Sequence, residues 1–167
     1  MSDPGYPFPL FRFQVEFRRE RDNDVQLAYG AFSECTGLEA TMEPKVYKAG
    51  GANYGDFQRP GRVTFGTVIL KRGITTNRDL WRWFSHVNEQ AKFAYRLTVK
   101  IAVLRDSDLA GAPGASDSGF TAASQPRLTI QLTRALPVKF KCGDMNAKAT
   151  DVGVEELHLA HEGLTFA

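Results

Sequence analysis

Long apolar runs are missing from this chain. No segment approaches the roughly 20 apolar residues of a membrane-spanning helix. The opening "MSDPGYPFPLF" has no basic stretch followed by an apolar one, so it does not read as a secretory signal. The expectation is synthesis and retention in the cytoplasm until something larger releases the protein. A strong charge of one sign is also missing. The net charge is only +2, which argues against a dedicated, sequence-specific nucleic-acid binder. Cysteine is scarce: Cys35 and Cys142 lie far apart and match no metal spacing. They are expected to be free, largely buried thiols in a reducing compartment, with a disulfide as the alternative.

Catalytic constellations are missing too. "KAGGANYGDF" lacks the Lys-Ser/Thr ending and the following helix of a phosphate cradle. Glu155 and Glu156 are adjacent in an extended segment and point to opposite faces, a poor acid–base pair. His158 and His161 are three apart, which on a strand also separates their faces, and His86 stands alone. No catalytic residue, metal site or cofactor is expected, and the chain is not read as an enzyme.

What is present is an ordinary globular composition, 43% hydrophobic and 24% charged over 167 residues. That length suits one domain spanning 1–167 with a core of its own. "FRFQVEF" alternates, with Phe11, Phe13, Val15 and Phe17 on one face, as a half-buried antiparallel strand does. "QLAYGAFSECTGL" reads as a second strand with Gly30 at a bulge or close approach. "LEATMEPKVYKAG" reads as a third, held to an edge or bend by Pro44. Residues 50–61 are turn-rich and carry the aromatics Tyr54 and Phe57. "RVTFGTVILKRG" is a further strand ending in a basic corner at Lys71-Arg72-Gly73, where Gly73 is expected to supply a positive φ.

One helix follows, over about 76–90. Thr76 is its expected N-cap, and Asp79 completes a capping box. Leu80, Trp83, Phe84 and Val87 form its apolar stripe, and Arg78 and Arg82 lie off it. Trp83 is read as core and Trp81 as partly exposed. "RLTVKIAVL" alternates again. Residues 106–126 are a Gly/Ala/Ser/Asp/Pro-rich insertion, expected to be a mobile loop. "RLTIQLTR" and "LPVKFKC" read as two strands. "VGVEELHLAHEG" closes the sheet, with an apolar phase slip that suggests a β-bulge near Glu155-Glu156. The fold class is mainly β: an antiparallel sandwich or partly closed barrel with one outer helix.

"VILKRGITTNRDLWRWF" resembles the signature of the tail-tube protein family of contractile phage tails and related contractile injection systems. There, a strand ending Leu-Lys-Arg-Gly leads into a helix opening with Leu-Trp-x-Trp. "FRFQVEF", "GAFSECTGLEATMEPKVYKAGG" and "ALPVKFKCGDMNAKATDVGVEELHLAHEGL" resemble other family segments in the same order. The similarity covers nearly the whole chain. Arg134 and Leu136 depart from it, standing where the family usually has an Asn and an aromatic.

The resemblance implies a structural subunit of stacked hexameric rings, whose strands join into one barrel around a channel for effector or DNA. Its implied partners are other copies of itself, a sheath protein and baseplate proteins, within a virion or an extracellular or membrane-anchored particle. Tyr54, Phe57 and Arg59 become inter-ring contact candidates. Lys71, Arg72 and Gly73 become subunit-boundary candidates, the two cations pairing with acids across the boundary. Arg78 and Arg82 become sheath-contact candidates. A baseplate- or tip-proximal paralogue is the alternative within that class, and a monomeric barrel holding an apolar ligand is the alternative outside it.

Overall fold

The computed structural model describes residues 13–19, 26–48, 50–51, 55–89, 95–104, 126–143 and 153–167. Within them lie β1 (Phe13–Arg19), β2 (Gln26–Ala31), β3 (Glu34–Thr36), β4 (Ala40–Met42), β5 (Lys45–Tyr47), β6 (Phe57–Arg59), β7 (Val63–Phe65) and β8 (Val68–Gly73). Then come α1 (Asp79–Glu89), β9 (Leu97–Val103), β10 (Leu128–Cys142), β11 (Val154–Ala160) and β12 (Gly163–Phe166). The expected loop at 106–126 lies outside the described residues, apart from Pro126. No helix among them is long and apolar enough to cross a membrane.

All the described ladders are antiparallel. The main path runs β2-β1-β9-β10-β11-β8-β3, with β12 also on β10. One element organises it. "RLTIQLTR" and "LPVKFKC" are not two strands but a single strand of 15 residues, β10. Leu132 faces Val99 and Ala135 faces Leu97, so Thr133 and Arg134 together oppose one residue of β9. Arg134 takes a φ of 54° there. This bulge bends the strand without ending its ladder. The first half of β10 therefore belongs to one sheet, with β9, β1 and β2, and the second half to another, with β11, β8 and β3. A bent strand that changes sheets makes the corner of a sandwich. β12 continues the line of β11 along the same edge of β10: Leu136 stands opposite Ala160 and Thr133 opposite Gly163.

"QLAYGAFSECTGL" also divides, into β2 at one end of the path and β3 at the other. Phe32 and Ser33 join them, and the Ser33 amide donates to the Lys71 carbonyl at 2.8 Å. The chain, and not a ladder, thus links the two ends of the path, and the sheets do not close into a barrel. The ladder runs regularly past Gly30, opposite Val15. The irregularity lies at Leu27, skipped between Ala28 opposite Phe17 and Gln26 opposite Arg18.

Between the sheets sit Val15, Phe17, Val68, Leu70, Val99, Leu132, Leu157 and Leu159, each 1% exposed or less. Burying each such side chain contributes about 1.5–3 kcal/mol. Three of the four expected stripe residues on α1 complete this core, while Phe84 is half-buried and stacks on Trp81. Leu80, Trp83 and Val87 are buried, and Trp83 meets Phe17 edge-on at 5.6 Å. The helix starts three residues later than its expected boundary. Asn77, not Thr76, caps it: its Oδ1 accepts from the Asp79 amide at 2.9 Å. The first helical bond runs from the Arg82 amide to the Arg78 carbonyl, 2.9 Å.

The expected bulge at Glu155-Glu156 is absent. β11 pairs with β8 without a break from Val154 opposite Gly73 to Leu159 opposite Val68. Glu155, Leu157 and Leu159 all face inward and are buried. The phase does not slip; a carboxylate occupies a core-facing position. The bulge lies on the partner strand, where Val138 is extra between Pro137 and Lys139. Proline has no N–H to give a ladder, which favours an irregularity there.

Candidate assembly interface

Between β3 and β8 the chain leaves the core as an arm of two short ladders. β4 pairs β7, and β5 pairs β6. Pro44 sits at the bend between β4 and β5, as its missing N–H requires. The expected single strand "RVTFGTVILKRG" breaks at Gly66-Thr67, where the arm rejoins the body. At that root Gly37 has φ 81°, and a Cβ on it would lie 2.0 Å from the Thr67 carbonyl oxygen. Between the ladders a Cβ on Gly61 would lie 1.8 Å from the Glu43 carbonyl oxygen. Both positions need a residue without a side chain.

The arm buries almost nothing in itself. Every residue of β4, β5 and β6 is exposed. Met42 faces Val63 and Ala40 faces Phe65 on one side, with Thr41 and Thr64 on the other. In the outer ladder Tyr47 stacks on Phe57, with centroids 5.6 Å apart. Lys45 stands directly opposite Arg59. Phe57 and Arg59 are thus both on the arm's surface, while Tyr54 lies outside the described residues. Tyr47, Val46, Met42 and Val63 belong to the same surface, and sequence reasoning missed them. Isolated two-stranded ladders are marginal in water, and apolar surface gathered on one projection marks a contact site.

Lys71, Arg72 and Gly73 form no turn. They are the last residues of β8, and Gly73 does not have a positive φ; it pairs with Val154. The Lys71 ammonium pairs with Glu34 at 3.0 Å. Arg72 is buried against Glu155, directly opposite it in register, and lies over the Phe32 ring at 5.7 Å. Its Nη2 also reaches the Asn77 carbonyl at 3.4 Å, tying the strand to the helix cap. Both cations therefore have partners in their own chain.

The outward side of α1 carries aromatics as well as charge. Trp81 is 47% exposed, stacks on Phe84 at 5.7 Å and meets Phe140 edge-on at 5.5 Å. A groove of about 440 Å³ beside it is lined by Asn77, Arg78, Trp81, Phe140, Cys142 and Glu155. Arg78 is exposed in this groove. Arg82 is also exposed and pairs with Asp79 at 3.6 Å. Cys142 is exposed, contrary to the expected burial, whereas Cys35 is half-buried and desolvation pushes its thiol up to about 11. Both are free thiols.

Two further surfaces matter. Among the described residues β12 pairs only with β10, and β2 only with β1, so the first sheet has a free edge on each side. Its face away from the core is largely polar: Gln14, Glu16 and Arg18 on β1, then Thr98 and Lys100 on β9, then Thr129 and Gln131 on β10, with Glu16 only 4% exposed and the buried Ala102 among them. Glu16 on this face pairs with Arg18 at 2.9 Å. Among the described residues no three His, Cys, Asp or Glu side chains converge as metal ligands. His158 lies 3.5 Å from Glu156, and the ring of His161 packs on Phe65 at 5.2 Å.

The family model of the T4-like virus tail tube protein gp19 matches residues 9–165. No curated protein matches. Among solved structures, a chain of the anti-feeding prophage baseplate, 6-fold symmetrised, is 24% identical with a TM-score of 0.72, covering 100% of this chain and 97% of that one. A chain of the PVC extracellular contractile injection system sheath–tube complex is 19% identical with a TM-score of 0.72, covering 98% and 93%. A chain of the anti-feeding prophage tube-terminating cap is 17% identical with a TM-score of 0.69, covering 100% and 95%.

Proposed function

The chain belongs to the family of T4-like virus tail tube proteins, and we propose that it is the repeating inner-tube subunit of a contractile particle, built as stacked rings of six copies. The observation that carries this reading is the arm, an exposed pair of ladders on a chain whose core is otherwise complete. Such an element is maintained for a neighbour.

Each exposed surface has a place in that assembly. β2 of one copy and β12 of the next pair edge to edge, so six copies of the first sheet become one barrel without edges. The largely polar outward face then lines the channel through which effector or DNA passes. The arm, with Phe57 and Arg59 among its contacts, reaches the adjacent ring. Such a contact joins unlike surfaces and does not close, so it propagates a tube. The outer side of α1, with Arg78 and Arg82, meets a sheath; the chains similar in fold come from sheath–tube, baseplate and cap assemblies. Residues 71–73 pair within the chain and act at a subunit boundary by holding strand and helix in place. The role is mechanical and involves no catalysis. Synthesis in the cytoplasm precedes incorporation into the particle.

Negative-stain electron microscopy of the purified protein at high concentration, with its mass in solution, tests the reading. Rings or hollow tubes of uniform width are expected. A monomer that persists at every concentration, with baseplate proteins added, overturns it.

A further inference from the structure

Several charges of the body are partnered, though Arg78, Lys100, Lys139 and Lys141 form no ion pair among the described residues. Arg72 has Glu155, Lys71 has Glu34, Arg18 has Glu16, and Arg134 and Arg96 share Glu162. Those of the arm are not. Among the described residues neither Lys45 nor Arg59 forms an ion pair, although both are exposed and stand directly opposite each other on β5 and β6. Like charges at directly opposed positions destabilise a ladder. Side chains alternate between faces, so Lys45 and Arg59 share a face with the stacked Tyr47 and Phe57. The result is two adjacent cations beside an apolar floor, with no anion to neutralise them. Glu43 and Asp56 are exposed on the same arm and are likewise unpaired.

We propose that Lys45 and Arg59 of one copy receive carboxylates of a second copy of this chain, those of Glu43 and Asp56, in a head-to-tail contact between arms. The proposal rests on the tube reading and supplies the chemistry of its inter-ring contact. The arm carries both signs, with Lys48 and Arg62 exposed on it as well; Lys45 and Arg59 face each other in one cross-strand pair, and Glu43 and Asp56 lie outside that pair. A second copy brings the missing sign to that pair. Carboxylates relieve the Lys45–Arg59 repulsion, and the two rings bring apolar contact that excludes water from the new pairs. A nucleic acid fits less well: a polyanion running along the arm would meet Glu43 and Asp56 as well as the cations.

The test is tube formation by the full chain, followed by sedimentation and electron microscopy. Raising salt from about 0.05 M to about 0.5 M screens such pairs and is expected to raise the concentration needed for stacking. K45E places an acid opposite Arg59 and so strengthens the isolated ladder; it is nevertheless expected to raise that concentration about tenfold or more, which a merely structural role would not do. K45E/R59E and E43K/D56K are each expected to fail alone and to stack when mixed in equal amounts. Stacking of K45E/R59E like wild type, or failure of the mixture to recover, overturns the proposal and leaves the tube reading standing. A wild-type chain that never self-associates overturns both. Retention of a DNA duplex by the wild-type arm, lost in K45E/R59E without any copy-to-copy association, overturns it in favour of a nucleic-acid ligand.

Discussion

Phe17 in the body is 1% exposed, and Phe57 in the arm is 50% exposed. The same side chain serves two ends. Phe17 meets Trp83 of the helix and Phe32 at the corner, and its burial holds sheet and helix together. Phe57 touches Tyr47 across one ladder, and its other side is open to water. Charge repeats part of the contrast: the body holds several ion pairs, and among the described residues the arm holds none. The body is organised to be stable alone. The arm gains its stability from contact, and the predictions below strain that division from the largest expected effect downward.

The largest effect belongs to the buried pair of Arg72 and Glu155. Glu155→Ala leaves the guanidinium of Arg72 buried with no carboxylate, which is expected to destabilise the body by about 3–5 kcal/mol. Chemical denaturation followed by tryptophan fluorescence reads this directly. Replacing both partners together by apolar residues, as in R72M/E155L, is expected to recover most of the loss. A small loss in the single variant would show that water reaches the pair and that the body is less closed than its burial implies.

A smaller effect is expected at the helix start. Asn77→Ala removes the oxygen that caps the Asp79 amide and is expected to cost about 1 kcal/mol. Thr76→Ala, at the position that sequence pattern favours as the cap, is expected to stay within about 0.5 kcal/mol, as an exposed substitution does.

That pair of variants also shows how much of the molecule is legible in its sequence. The helix stripe is, because Leu80, Trp83 and Val87 repeat at helical spacing and nothing distant interferes. So are the alternating cores of β1 and β9. The cap is displaced because Arg72 holds the Asn77 carbonyl from a neighbouring strand, a contact the local pattern does not contain. Glu155 imitates a bulge for the same reason: the Arg72 that makes its burial tolerable lies 83 residues away. β10 looks like two strands because an Arg gives no hint of the positive φ at residue 134. Phe57 and Arg59 are legible as exposed residues of a turn-rich segment. Their cross-strand partners Tyr47 and Lys45 are not, since only the register shows them to be opposite.

The two cysteines separate body from surface by chemistry. Desolvation raises the Cys35 thiol from 9.0 to about 11. A folded value above the unfolded one means that the neutral thiol is favoured by folding. This contribution is complete below about pH 9 and is lost as pH rises from 9 toward 11. Stability is therefore expected to fall across that window, and Cys35→Ala to flatten the fall in a pH series of denaturation curves. With a thiol reagent at neutral pH, exposed Cys142 is expected to react well before Cys35.

The smallest effect on stability is expected in the arm, and it divides the two regions most sharply. M42S/V63S removes an apolar cross-strand pair whose members are already 49% and 45% exposed. Neither side chain packs into the core, so the unfolding midpoint of the monomer is expected to move by less than about 0.5 kcal/mol. The same change should raise the concentration at which copies associate, because the apolar face it removes is the one left for a neighbour. Equal stability with weaker association assigns the arm to assembly. A loss of 2 kcal/mol or more, the range of a core truncation, would mean that the arm packs on its own body in solution and that the contrast between Phe17 and Phe57 is one of degree.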